Sequence, residues 1–349
     1  MGTIWFCLVA IMVALYVLLD GFDLGAGAIH LFIAKTDEER RQVLASIGPV
    51  WDGNEVWLLA AGGTLYFAFP ALYAGAFSGF YLPLMMVLWL LILRGTSIEF
   101  RNHIKSPVWD PLWDFLFCGS SLLLAVFFGA ALGNVVRGVP LDGSGYFFEP
   151  LWTNFRLGEE TGILDWYTVL VGVLALAALV MHGALWVRWK TTGAVRDRSG
   201  QVAGRAWWAI LVLTPIVTAT TFRIQAQVMV NFKTWPFGVI LPILAVAGLA
   251  GVKYELARNN ERMAFFASCA YLTGMLTSVV FGVYPMVLPA RNPIYSLTVA
   301  NAKAGAYGLQ IGLIWWAIGM VLAAGYFTYL YRSFAGKVSV DEDGHGAGD

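Results

Sequence analysis

The chain has 349 residues, of which 59% are hydrophobic and only 13% charged, with a mean hydropathy of +0.69. A soluble globule carries about 25% charged residues, so the composition is that of an all-α polytopic membrane protein. Lys plus Arg and Asp plus Glu are 22 each, and no basic tract is present, which excludes nucleic acid as a partner.

A helix needs about 20 mainly apolar residues to cross a bilayer. Nine stretches meet that need: 4–33, 56–73, 75–93, 115–136, 163–187, 206–222, 235–252, 263–288 and 306–331. The first lacks a basic leader and a cleavage site, so it reads as a retained helix. Its purely apolar part, 4–19, is short of a full span, and the helix must continue into Asp20 and Asp23. Three residues apart, these acids share one face. The neighbouring Gly21, Gly25 and Gly27 let another backbone come close and predict a packed neighbour there, which we assign to a partner subunit. The alternative is a turn at the interface with both acids solvated.

Between the first two spans, residues 36–46 read as a short amphipathic helix, with Thr36 and Glu39 forming its capping box. The second span opens on WDGNEVWLLAAGG. There Asp52 and Glu55 lie three apart, bracketed by Trp51 and Trp57. The same spacing is also a helix-start signature, with Asp52 as N-cap and Glu55 reaching back. Pro70 and Gly75 mark a slight break before the third span, which ends in Arg94, Glu99 and Arg101. A snorkelling arginine is the bland reading of Arg94. The stretch 138–162 is long and rich in Gly, Pro and acid, which predicts irregular structure. Residues 1–335 form the helical domain, and the polar tail 336–349 reads as disordered.

Sixteen basic residues fall in the connections and tail of one side, against six on the other. Basic loops face the cytoplasm, so the N-terminus is expected outside and the C-terminus inside. Asp20, Asp23, Asp52, Glu55, Arg94, Glu99 and Arg101 then gather toward the cytoplasmic half. Ionisable groups at that depth read as a proton or cation site. Arg94 can hold a carboxylate ionised, and Asn54 can supply a hydrogen bond.

Cys7, Cys118 and Cys269 lack metal or redox spacing and read as small core residues. Of His30, His103, His182 and His345, only His30 and His182 lie in or near spans. His182 beside Met181 is conceivable as a haem ligand, but reads better as a satisfied core histidine. No nucleotide or metalloprotease motif is present.

The stretches LLDGFDLGAG, IGPVWDGNEVWLLAAGGTLYFAFP, YAGAFSGFYLPLMMVLWLLILRG and IEFRNH, in that order, resemble subunit II of the cytochrome bd-type quinol oxidases. RNPIYSLTV, 291–299, adds weaker support. The resemblance implies about nine transmembrane helices, as two four-helix bundles plus a peripheral one, in the bacterial plasma membrane. It implies a partner, subunit I, which carries haem b and haem d. It admits a small accessory subunit, bound quinone and lipids. Such a complex oxidises quinol, reduces oxygen to water with cytoplasmic protons, and so builds a proton motive force in aerobic respiration. The resemblance places a proton-uptake path along the subunit interface and matches its polar positions to Asp23, Trp51, Asp52, Arg94 and Glu99. Asp20 and Asn54 stand in the same motifs. Glu55 stands where relatives often have Gln, and Glu99 where some have Asp. Both keep or add acid. No catalytic residue and no cofactor of its own are assigned to this chain. The alternative is a secondary transporter with an intramembrane proton or cation site. Such a transporter would show interrupted helices in corresponding positions of two halves.

Overall fold

The structure, a computed structural model, describes residues 1–338 except 102, 105, 159 and 160. Twelve α-helices are present among them: α1 (Gly2–Ile33), α2 (Asp37–Ile47), α3 (Trp51–Ala68), α4 (Pro70–Gly79), α5 (Tyr81–Phe100), α6 (Trp109–Arg137), α7 (Trp166–Lys190), α8 (Gly193–Ile224), α9 (Ala226–Thr234), α10 (Ile240–Ala257), α11 (Glu261–Val283) and α12 (Ala306–Ser333). Eight segments are long and apolar enough to cross a membrane: α1, α5, α6, α7, α8, α11, α12, and α10 with the 3-10 turn before it. The expected second span is the exception. Its helix starts at Trp51, so three polar side chains in the first five residues lower its mean hydropathy. It nevertheless runs antiparallel to α1 over the same depth. Asn54 meets Asp23, Thr64 meets Met12, and Phe67 meets Trp5. Eighteen residues of helix cover about 27 Å. This is a ninth crossing by packing rather than by composition.

The helices fall into two groups of the same order. α1, α3, α5 and α6 pack together, as do α7, α8, α10 and α11, and α1 against α7 joins the groups. In each group a short helix, α4 or α9, links the second long helix to the third at the same end. This repeat of elements is not visible in the residues. The join is a backbone crossing at Gly25 and Gly183. A Cβ on Gly25 would lie 1.9 Å from the Leu179 carbonyl oxygen, and one on Gly183 2.3 Å from Ala26 N. The glycine face of α1 is therefore filled by the chain's own α7 at Gly21 and Gly25 and by Ser121 and Phe117 of α6 at Gly27, not by a partner subunit as the sequence suggested. Aromatic stacking tightens the same region, with Phe22 on Trp186 at 4.0 Å and Phe265 on His182 at 4.7 Å. An apolar cavity of about 150 Å³, walled by Leu24, Phe128, Leu132, Leu174 and Tyr271 among others, lies between the groups.

α12 lies outside both groups and has only Leu309 buried. Its turns touch α1 and α3, with Phe67 against Gly312 and Phe327 and Leu330 against Gly53.

Local chemistry sets most helix starts. The capping box of Thr36 and Glu39 is present on α2. Asp165 caps α7 through the amides of Tyr167 and Thr168, and Asn260 caps α11. α8 begins thirteen residues before the expected span, so Arg196, Arg198 and Arg205 ride on a helical extension rather than in a loop. The expected eighth span ends early, at Val283. The next residues form a small antiparallel ribbon, β1 (Met286–Leu288) with β2 (Leu297–Thr298). The described residues of the stretch 138–162 are irregular, as expected, and the irregular backbone runs on to Asp165. The tail differs at its start: Val338 N donates to Lys190 O at 2.7 Å, and Lys337 Nζ donates to Thr191 O and Glu261. Residues 339–349 lie outside the described residues. Cys118 is buried in the core, whereas Cys7 is exposed on the outer surface of α1.

Candidate functional site

α1 does not break at its acids. It continues ten residues beyond Asp23 to Ile33, and both Asp20 and Asp23 are fully buried. Asp20 sits about 20 Å along the helix from its end at Ile33, so neither acid lies in a turn at the helix end. Facing it on α5 is Arg94, also fully buried. Its guanidinium grips Asp20 through two parallel bonds, Nη1 to Oδ2 at 2.9 Å and Nη2 to Oδ1 at 2.5 Å. Nη2 also reaches Glu55 on α3 at 3.3 Å. Arg94 is thus the fixed cation of the cluster and not a snorkelling side chain. Bidentate guanidinium–carboxylate pairs are the geometrically strict kind.

Asp23 is one turn on from Asp20. Its Oδ2 accepts from Asn54 Nδ2 at 2.8 Å, and its Oδ1 is buried without a hydrogen-bond partner among the described residues. Asn54 Nδ2 also donates to the Leu19 carbonyl at 3.3 Å, and Asn54 Oδ1 accepts from the Tyr331 hydroxyl at 2.8 Å. The cluster therefore brings three carboxyls, Asp20, Asp23 and Glu55, around one guanidinium.

The structure unites Asp20, Asp23, Asn54, Glu55 and Arg94, drawn from α1, α3 and α5. Trp51 borders them, with its ring over Gly95. Asp52 and Glu99 do not join. Both are exposed at the same end of the bundle, and neither side chain bonds to the cluster. Asp52 is also not the N-cap of α3. That position is Val50, which offers no side-chain cap, and Asp52 stands inside the first turn. Glu55 turns to Arg94 rather than back to the helix start.

Arg101 belongs to a separate cluster at that end. Asp114 on α6, fully buried, accepts from Arg101 Nε at 2.6 Å and Arg40 Nη1 at 2.9 Å, and its Oδ1 lies 2.7 Å from His30 Nε2. Arg101 also donates to Asp37 at 2.7 Å, and Arg41 pairs with Asp37 at 2.7 Å. This set ties α2 to α1, α5 and α6.

A third cluster lies at the opposite end, under the long irregular segment. Arg137 pairs with Asp165 and with Glu149 and donates to Asn134 Oδ1 and the Gly162 carbonyl. Arg291, from the ribbon, pairs with the same Glu149.

Three members of these clusters escaped the sequence reading. Tyr16, one turn before Asp20, is buried in the electrostatic reach of Asp20 and Arg94. Its i, i+4 spacing was a usable signal. Asp114 lies one residue before the expected fourth span, 115–136, and was not singled out. Tyr331 lies 277 residues from Asn54 in sequence and gives no local signal.

The family description "Cytochrome bd terminal oxidase subunit II" matches residues 1–334. The chain belongs to the cytochrome bd subunit II family. A protein of Haemophilus influenzae named as a probable cytochrome oxidase subunit 2 is 32% identical over 98% of this chain and 97% of its own. The cytochrome bd-I ubiquinol oxidase subunit 2 of Escherichia coli K12 is 27% identical over 97% and 95%. The solved bd oxidase of Geobacillus thermodenitrificans shares the fold with a TM-score of 0.75, covering 95% of this chain and 98% of that one at 16% identity. As a member of the cytochrome bd family, the chain is a multi-pass plasma-membrane subunit of an oxidoreductase complex. The family assigns haem and quinol to that complex as a whole.

Proposed function

We propose that this chain is the non-catalytic subunit of a quinol-oxidising, oxygen-reducing complex. It supports a haem-bearing subunit I and supplies part of a cytoplasmic proton-uptake path. One observation carries the proton reading: three carboxyls, Asp20 and Asp23 fully buried and Glu55 half-buried, gather around one guanidinium. A fully ionised set would leave uncompensated negative charge in a medium that penalises it heavily. Such a set holds and releases protons as a unit. Asp52 and Glu99, exposed at the end expected to face the cytoplasm, are suited to collect protons from water. Trp51 stands between that surface and Arg94.

The described histidines do not suit a haem. His182 Nε2 donates to the Leu18 carbonyl at 2.9 Å, and Nδ1 lies 2.7 Å from Ser268 Oγ. His30 Nε2 is held by Asp114, and His103 Nδ1 by the Glu99 carbonyl. We therefore assign haem b and haem d to subunit I and route no step through them here. The transporter reading gains nothing from the fold. The interruptions in corresponding positions are linkers at the bundle end, not gaps within a span.

The test is the purified two-subunit complex. Its absorption spectrum should carry haem d, and the spectrum of this chain isolated from its partner should carry no haem. Asp23→Asn should lower quinol-driven oxygen consumption while leaving haem content intact. Stoichiometric haem on the isolated chain would overturn the division of labour. Parental turnover in Asp23→Asn at every pH would overturn the proton path.

A further inference from the structure

α12 is the least embedded long helix, yet its inner end reaches the buried cluster. The Tyr331 hydroxyl donates to Asn54 Oδ1 at 2.8 Å. The direction of this bond is fixed by a neighbour. Asn54 Nδ2 faces the Leu19 carbonyl, which can only accept, so the amide nitrogen must point to Leu19 and Asp23. Its oxygen must then point to Tyr331, and an amide oxygen can only accept. We propose that Tyr331 is a positioning residue for Asp23: through Asn54 it locks one carboxyl oxygen as an acceptor and leaves the other to take the proton.

The consequence follows atom by atom. Asp23 Oδ2 is engaged by the Asn54 amide, so protonation there would set two donors against each other. Oδ1 has no hydrogen-bond partner among the described residues and is the atom that can gain and lose a proton. The amide cannot relay a proton itself, because it neither gains nor releases one at working pH. Its work is orientation, and Tyr331 anchors its far edge. Beside Tyr331 a cavity of about 480 Å³ opens at the basic end of the bundle, lined also by Ser46, Trp186, Lys190 and Phe334. Water there can donate to the hydroxyl oxygen without disturbing the bond to Asn54. The charged and titratable groups around the pair are Tyr16 and Asp20 on α1, Glu55 on α3, Arg94 on α5, Lys190 on α7 and Cys269 on α11. Of these, Arg94 turns its two terminal nitrogens to Asp20 and Glu55, and Lys190 donates to the Phe334 carbonyl. None replaces Tyr331 on Asn54.

This inference rests on the proton-path reading. The test is quinol-driven oxygen consumption of the two-subunit complex against pH. In Tyr331→Phe the Asn54 amide loses an anchor and donates less firmly to the Asp23 carboxylate, so the proton is held to higher pH. We expect parental haem content and an upward move of the profile midpoint by roughly half to one pH unit, the scale of one weakened hydrogen bond. In an Asn54→Ala background the same substitution should move nothing further. Asn54→Ala alone should give at least the same upward move, which keeps the test open if Tyr331→Phe fails to assemble. A parental profile in Tyr331→Phe or in Asn54→Ala overturns the inference, as does a Tyr331→Phe shift that persists undiminished on Asn54→Ala. Loss of turnover in Asp23→Asn beside a neutral Tyr331→Phe removes this inference alone. A neutral Asp23→Asn removes the proton-path reading beneath it.

Discussion

The buried ionic clusters at the two ends of the bundle use the same residue types to different ends. Under the irregular segment, two carboxyls (Glu149 and Asp165) meet two guanidiniums (Arg137 and Arg291), and among the described residues the formal charges cancel. Arg137 spends its donors on two acids, an amide and two carbonyls. That set pins the described residues of 138–165 to the ribbon, and Glu149 Oε2 is likewise buried without a hydrogen-bond partner among the described residues. At the other end Asp20 and Glu55 share Arg94 with Asp23 one turn away, and Asp23 Oδ1 and Arg94 Nε are buried without hydrogen-bond partners among the described residues. A balanced cluster holds structure. A cluster with excess acid around one guanidinium can titrate.

The largest expected effect falls on the pair that anchors the titrating cluster. Asp20→Asn leaves the Arg94 guanidinium buried with only the long contact to Glu55. Breaking one partner of a buried pair costs about 3–5 kcal/mol. The yield of assembled complex and its melting temperature should fall sharply, and the surviving fraction should show an altered pH profile. An unchanged melting temperature would show that Asp20 and Arg94 do not form the anchor.

The balanced cluster should respond differently. Glu149→Gln removes one charge and weakens the grip of both arginines, at a cost of about 1–3 kcal/mol. The melting temperature drops, but the pH profile of turnover in assembled complex stays parental. A shifted profile would erase the contrast between the clusters.

Asp37 offers a smaller, pH-resolved effect. Partial burial pushes its carboxyl up, but the Arg101 hydrogen bond and the charges of Arg101 and Arg41 outweigh this and hold it below the usual range. A depressed carboxyl contributes stability above its unfolded value and loses it as pH falls through the folded one. The melting temperature of the complex should therefore decline more steeply with acid in the parent than in Asp37→Asn. Parallel declines would remove Asp37 from the acid response. As the residue is half exposed, the difference will be modest.

These contrasts also show what was legible in the chain. Asp20, Asp23 and Asn54 were readable because helical spacing and a diagnostic motif put them on facing surfaces. The pairing of Arg94 with Asp20 was only allowed, not dictated, because α5 could have presented Arg94 to lipid headgroups instead. Glu99 was placed with Arg94 from proximity in sequence. On a helix, five residues separate them by roughly 140°, and Glu99 faces outward. The early start of α3 was obscured by treating polar residues as loop. Tyr331 and Asp114 carried no local mark, since their partners lie on helices brought together only by the fold. The role of α1's glycines was misassigned for the same reason: spacing says that a backbone comes close, but not whose.

The smallest stability effects, and the sharpest functional ones, are expected at Asp52 and Glu99. Both are exposed, so Glu99→Gln should change stability by no more than about 0.5 kcal/mol and Asp52→Asn by no more than about 1 kcal/mol. For Asp52 there is one structural role to subtract. In the first turn of α3 its charge favours the helix dipole, by roughly 0.3–1 kcal/mol at most. Capping does not enter, since Val50 holds that position. A neutral amide keeps the shape but cannot gain or lose a proton at working pH. If these residues gather protons for Asp23, their loss slows supply most where protons are scarce. Oxygen consumption of either variant should match the parent near pH 6 and fall behind progressively toward pH 9. The double variant should lose more than either single one. Placing Asp at position 99, as Glu99→Asp, should keep the parental alkaline rate, because a carboxyl is retained. A fractional loss equal at every pH would make these two acids ordinary surface charges, and supply to the buried cluster would then have to come from the Tyr331 side.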